Sequence, residues 1–288
     1  MVMTMQKYLK LLRVHHYVKN ILVIAAAGCS GKMFEGGKFP NAILGIAVFC
    51  MISSAVYIIN DIRDIERDKL HPVKRKRPIA SGEVSVKSAA VIASVLIAGA
   101  GLLSVWVFGV KPSVLPMLYI AVNFAYSMGL KNIPVLDITI LVSGFIIRLL
   151  YGAIITDTVI SYWLYLCVMA MAFYLALGKR RNELKLNKDT RKVLDFYPDS
   201  FLDKNMYVCL ALANVFYALW SVDDKTVALY NNKYMVFTVP VVFLICMKYS
   251  LDVERNSSGD PAEVLFSDKT LMLLCVLYIA GMFMILYL

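Results

Sequence analysis

The feature that most constrains this chain is a succession of apolar blocks, each long enough to cross a lipid bilayer. They fall at about 17–34, 41–59, 85–108, 113–130, 135–155, 160–178, 205–222, 234–251 and 270–288. About twenty apolar residues span the hydrocarbon layer. Inside that layer every backbone polar group must be paired within the protein, which such blocks achieve as helices. The sequence therefore predicts an all-α polytopic membrane protein, a bundle of about nine transmembrane helices forming a single domain over 1–288. Composition agrees: 60% of the 288 residues are hydrophobic and only 17% charged, against roughly a quarter charged in soluble domains. The first block is expected to be an irregular helix, because Gly28 and Gly31 interrupt it. No short apolar core followed by a small-residue cleavage site precedes it, so no removable signal peptide is expected.

The formal net charge is +10. In a membrane chain that points to topology and anionic lipid, and no nucleic-acid-binding module is legible. Two long polar stretches, 60–84 and 179–204, are both basic. A cytoplasmic N-terminus places 1–16, 60–84, 131–134, 179–204 and 252–269 on one side. Only Lys32, Lys38, Lys111, Lys225 and Lys233 then fall on the other. The positive-inside rule thus orients the chain, with the loops 60–84, 131–134 and 179–204 facing the cytoplasm. Cys29, Cys50, Cys167, Cys209, Cys246 and Cys275 all lie in apolar segments with no CxxC spacing. They read as small buried hydrophobes, not as disulfides or zinc ligands. His15, His16 and His71 read as interfacial or loop residues.

One stretch breaks the apolar pattern: YIINDIRDIERDKLHPVKRKRPIASG, residues 57–82. If the second helix runs on through it, about 100° per residue places Asn60, Asp61, Asp64 and Asp68 within an arc of about 100°. Glu66, Arg63 and Arg67 fall away from the centre of that arc. Three carboxylates and an amide on one strip repel one another unless a cation sits between them, and magnesium favours such hard oxygen ligands shared with phosphates. The basic run Lys74–Arg77 follows at once and supplies a clamp for a diphosphate leaving group. The competing reading is an ordinary solvated helix end whose acids pair with nearby lysines and arginines. Arg148 stands out separately, because a charge inside an apolar segment costs a few kcal/mol unless it faces a cavity or a partner. Asp137, eleven residues earlier, lies on the same helix face about 16 Å away, too far to pair but placed to line the same cavity.

The motif NDxxDxxxD, followed by a basic loop and RPIASG, resembles the first aspartate-rich motif of the UbiA superfamily of intramembrane prenyltransferases. The resemblance implies nine helices around a central cavity with a magnesium-diphosphate site, manganese being able to substitute, at its cytoplasmic mouth. Asp61 and Asp64 would be the catalytic metal ligands, supported by Asn60 and Asp68. Further stretches are similar to the decaprenyl-phosphate phosphoribosyltransferase branch: LRVHHYVKNILVIA (12–25), YSMGLKNIPVLDITILVSGFIIRLLYGA (126–153), YLALGKRRNEL (174–184) and GDPAEVLFSDKTL (259–271). That branch implies phosphoribosyl diphosphate (PRPP) as donor and a polyprenyl phosphate as acceptor, in the inner membrane of a bacterium with a role in its cell envelope. The substrate-binding residues it implies are Lys19, Asn20, Lys74, Arg75, Arg77, Tyr126, Lys131, Asp137, Arg148, Lys179 and Arg180. The chain departs from the aromatic-acceptor members, which carry a second acidic DxxxD motif, because Asp137 is followed four residues on by Leu141. The alternatives are an aromatic or quinone-precursor prenyltransferase with a polyprenyl diphosphate donor, and a non-enzymatic membrane transporter.

Overall fold

The apolar blocks become helices close to where the sequence puts them. The computed structural model describes residues 2–186, 192–230, 233–256 and 260–287. Among these residues every regular element is helical. The order is α1 (Val2–Leu12), a 3-10 segment (Val14–Ile21), α2 (Leu22–Gly28), α3 (Lys38–Arg63), α4 (Ile65–Leu70), α5 (Val86–Phe108), α6 (Val110–Met128) and α7 (Leu136–Ile155). Then come α8 (Tyr162–Leu186), α9 (Asp199–Val222), α10 (Asp224–Tyr230), α11 (Val239–Asn256), α12 (Pro261–Ser267) and α13 (Lys269–Tyr287).

Among the described residues, seven helices are long and apolar enough to cross a membrane: α3, α5, α7, α8, α9, α13 and the Tyr234–Arg255 stretch that takes in all of α11 but its last residue. Length and composition thus pick out seven of the nine expected blocks, and the other two fall short for local reasons. The 17–34 block is a 3-10 segment running into an α2 of only 7 residues. The 113–130 block lies in α6, which is diluted by Lys111, Pro112, Pro116 and Asn123. Even so, α6 runs between the two ends of its neighbours. Ser113 sits 2.8 Å from Ser104 of α5, and Ser127 donates to Asn60 at the far end of α3. Gly109 makes the sharp α5–α6 turn at φ 82°, where a side chain would be strained.

Two apolar cores share α7. Its first half (Ile138, Val142) packs with Tyr174, Leu177, Leu194, Leu202 and Met206. Its second half (Ile147, Tyr151, Ile155) packs with Val23, Phe49, Ile52 and Tyr119. Gly152 lets α2 cross close by, because a Cβ there would overlap the Val23 carbonyl. Outward faces stay apolar, as a hydrocarbon surround requires: Val91, Val95, Leu102 and Trp106 of α5 and Val276 and Ile279 of α13 are all exposed.

The polar stretch 179–204 differs from the long loop expected. Helix α8 continues to Leu186 and α9 begins at Asp199, so the connection narrows to 187–198, of which 187–191 lie outside the described residues and Lys192–Phe196 form a 3-10 segment. The polar side chains at 180–182 are compatible with a buried helix because each residue has at least one partner. Arg181 pairs with Asp203 and Glu254, and Asn182 donates to the Val253 carbonyl at 2.8 Å.

Candidate functional site

Helix α3 ends at Asp64, whose backbone turns to φ −94°, ψ 10°. The turn is gentle. Asp64 N–H still reaches the Asn60 carbonyl at 2.9 Å, and Asp68 N–H the Asp64 carbonyl at 2.8 Å. The helical path expected through 60–68 therefore holds with one break. Asp61 and Asp68 are both buried and share one partner, Arg77 Nη1, at 3.1 and 2.6 Å. A common partner is what a common helix face requires. Arg13 Nη2 adds a second contact to Asp61 at 2.5 Å. Asp64 turns toward the α6–α7 connection, where Lys131 Nζ lies 3.1 Å from it, and Asn60 accepts from Ser127 on the same side.

The acids are thus paired, as the solvated-helix-end reading required, but their surroundings are not those of a solvated end. Two of the three are buried, and their partners come from the N-terminal segment, the basic loop and the α6–α7 connection. The ordinary pair is Lys69–Glu66, 2.8 Å apart one turn away and exposed on both sides. Among the described residues no three His, Cys, Asp or Glu side chains are placed to hold a metal. The donor set still fits a hard divalent cation in its chemistry: three carboxylates and an amide oxygen within nine residues, held by cations that a metal-bound phosphate would also attract. Of the basic run, Arg77 reaches the acids while Arg75 and Lys76 are exposed. Lys74 begins a 3-10 turn, and its N–H donates to His71 Nδ1 at 3.3 Å.

The 3-10 segment Val14–Ile21 sets a second group of side chains. At three residues per turn, positions three apart eclipse, so Arg13, His16 and Lys19 stack along one edge. Arg13 starts that edge with a left-handed backbone at φ 52°. Lys19 Nζ bonds Asp260 at 2.9 Å, and Lys179 Nζ of α8 approaches the same oxygen at 3.6 Å. On the next edge Asn20 is buried, donates toward Ser53 at 3.3 Å and accepts from Arg148 Nε at 2.7 Å. Arg148 also bonds the Gly144 carbonyl at 2.7 Å and the Tyr119 hydroxyl at 3.0 Å. Its guanidinium lies 5.3 Å from the Phe49 ring and 4.7 Å from that of Tyr119. Among the described residues no carboxylate pairs with it, so aromatic faces and neutral acceptors carry its charge.

Asp137 and Arg180 form a third group, apart from Arg148. Asp137 is 0% exposed and accepts from Arg180 Nε at 2.7 Å and the Tyr197 hydroxyl at 2.6 Å. Arg180, also 0% exposed, spends its remaining donors on Glu183 and on the Tyr126 hydroxyl, the latter at 3.2 Å. Asp137 and Arg148, expected to line one cavity, take their partners in two networks on different neighbours of α7. Arg13, Ser127, Glu183, Tyr197 and Asp260 take part in these groups without having been singled out by sequence. Only Asp260 carried a local signal, the Asp-Pro of a helix start, and that signal says nothing about lysines.

Comparison with known proteins shows the family and the fold. The model of the UbiA prenyltransferase family matches residues 21–274. A decaprenyl-phosphate phosphoribosyltransferase of Mycolicibacterium smegmatis is 33% identical over 94% of this chain and 89% of its own length. Its counterpart from Corynebacterium glutamicum is 34% identical over 97% of this chain and 86% of its own. A UbiA homologue from Archaeoglobus fulgidus, solved bound to GPP and Mg2+, superposes with a TM-score of 0.74 at 17% identity, covering 97% of this chain and 99% of that one.

Proposed function

The chain belongs to the UbiA prenyltransferase family, and from that premise we propose that it transfers 5-phosphoribose from PRPP to a polyprenyl phosphate, releasing diphosphate. The observation that carries the choice of donor is Asp137. It is enclosed by Arg180 and Tyr197, so it adds no second acidic motif to the 60–68 strip. The names of the two bacterial relatives support the same reaction.

Asp61 and Asp64, with Asn60 and Asp68 in support, would hold magnesium, for which manganese can stand in. When bound, the metal offsets charge that builds on the departing diphosphate. Arg77 and Lys131 bind diphosphate oxygens, a task for which a guanidinium fork is well shaped. The acceptor enters from the lipid with its chain left between helices, and its phosphate oxygen attacks the anomeric carbon. An oxocarbenium-like state and inversion follow from in-line displacement. An ionised phosphate is already a nucleophile, so no general base is required. The lysine and arginine asymmetry supports a site on the cytoplasmic face of a bacterial inner membrane, with the N-terminus on the same side.

The GPP in the archaeal homologue favours one rival, a polyprenyl diphosphate donor with an aromatic acceptor. Purified protein in lipid with magnesium separates the two. Diphosphate released from PRPP only when decaprenyl or undecaprenyl phosphate is present supports the proposal. Release from a prenyl diphosphate with an aromatic acceptor, and none from PRPP, replaces it. If neither donor turns over and Asp64→Asn alters only ion flux, the chain is a transporter.

A further inference from the structure

The two polar groups nearest the 3-10 edge differ in charge balance. On the aspartate strip Asp61, Asp64 and Asp68 face Arg13, Arg77 and Lys131, three acids against three cations. Beside it, Lys19 and Lys179 converge on one oxygen of Asp260 at 2.9 and 3.6 Å, two ammonium groups on one carboxylate. Glu183, one turn beyond Lys179, is engaged by Arg180. His16 lies against the same carboxylate with its side chain only 10% exposed. Its Nδ1 is 3.7 Å from Asp260 Oδ1, beyond hydrogen-bond reach, and has no other partner. Burial, reinforced by Lys19, pushes His16 down to about 3, so the imidazole is neutral and in one tautomer offers Nδ1–H. Burial works to raise Asp260, but Lys179 and Lys19 outweigh it and hold its carboxyl well below the usual range.

A buried polar atom without a partner, facing an excess of positive charge, marks a place for an acceptor-rich anion. We infer that Lys19, Lys179 and His16 form a second anion site, distinct from the aspartate strip, which takes a phosphate monoester without metal, and that Asp260 occupies it as an internal counter-ion until the ligand arrives. Two ammonium groups match a monoester dianion where they over-match one carboxylate, and they repel a divalent cation. The identity of the ligand rests on the proposed function: the monoester is either the 5-phosphate end of the sugar donor or the phosphate of the lipid acceptor.

The test uses the full chain in lipid nanodiscs with EDTA, titrated separately with ribose 5-phosphate and with farnesyl phosphate, and reads equilibrium binding. Saturable binding of one of them without metal is expected, and which one binds identifies the source. Lys19→Gln and Lys179→Gln each weaken it about tenfold or more, the worth of a charge-assisted hydrogen bond. Asp260→Asn tightens it about two- to fivefold, because a competing ion pair is gone; a residue that merely braced the fold would weaken it. Asp260→Glu retains the wild-type affinity. Binding that requires magnesium, that is indifferent to both lysines, or that weakens in Asp260→Asn overturns the inference. If Asp260→Asn does not fold, the wild-type and lysine titrations in EDTA decide. Monoester binding without PRPP turnover would sink the transfer reaction and leave this site standing; turnover with neither monoester bound in EDTA would do the reverse.

Discussion

The aspartate strip and the Asp137–Arg180 group lie on adjoining helices and use the same chemistry, carboxylate against guanidinium or ammonium. Their accessibility separates them. Asp137 and Arg180 are both 0% exposed, and each is bound by several side chains at once. On the strip Asp61 and Asp68 are also buried, but the Asp64 side chain is 33% exposed, with Lys131 at 19% and Arg77 at 29%, and Asp64 is held by a single lysine. A closed network fixes helices, because removing one member strands the others in a low dielectric. A partly open one can exchange partners, because water and ligand can reach it. Acidic residues in a membrane protein are therefore better sorted by whether their partners can leave than by whether they are charged.

Breaking the closed network is expected to have the largest effect. Arg180→Met leaves Asp137 and Glu183 without their guanidinium and is expected to cost about 3–5 kcal/mol, read as loss of folded, monodisperse protein in detergent. Asp64→Asn should do the opposite: transfer falls at least about 100-fold, the scale of losing one preorganised electrostatic contact, while the melting temperature stays close to wild type. If Asp64→Asn unfolds the protein and Arg180→Met keeps it folded, the contrast is reversed. Tyr197→Phe removes one hydrogen bond to a buried carboxylate and is expected to lower stability by about 1.5–3 kcal/mol, without changing the magnesium dependence of transfer. Lys69→Ala breaks an exposed pair on the solvent side of α4 and shifts stability by less than about 0.5 kcal/mol, a baseline against which the other three are measured.

The same contrast explains what could be read from the sequence. Helices α3, α5, α7 and α13 were legible almost to their ends, because lipid-facing and core residues are both apolar and charge marks their limits. The aspartate strip was legible because its acids recur on one helix face. Residues 179–186 were not, since Lys179, Arg180 and Arg181 look like a solvated anchor until Asp137, Asp203 and Asp260, distant in sequence, are brought beside them. Arg13 and His16 were missed for a related reason. Their alignment with Lys19 needs three residues per turn, and the apolar periodicity of 12–25 gives no sign of a 3-10 segment. Hydropathy reports the environment of a segment; the partners of a charge are set by tertiary contact.

The most direct test is mass-spectrometric detection of the lipid product after incubating the purified chain in lipid with PRPP, decaprenyl phosphate and magnesium. The account predicts a phosphoribosylated lipid and an equivalent of diphosphate, both lost on chelation with EDTA and both reduced at least about 100-fold in Asp64→Asn. A product that forms equally well in EDTA, or in Asp64→Asn, would contradict it.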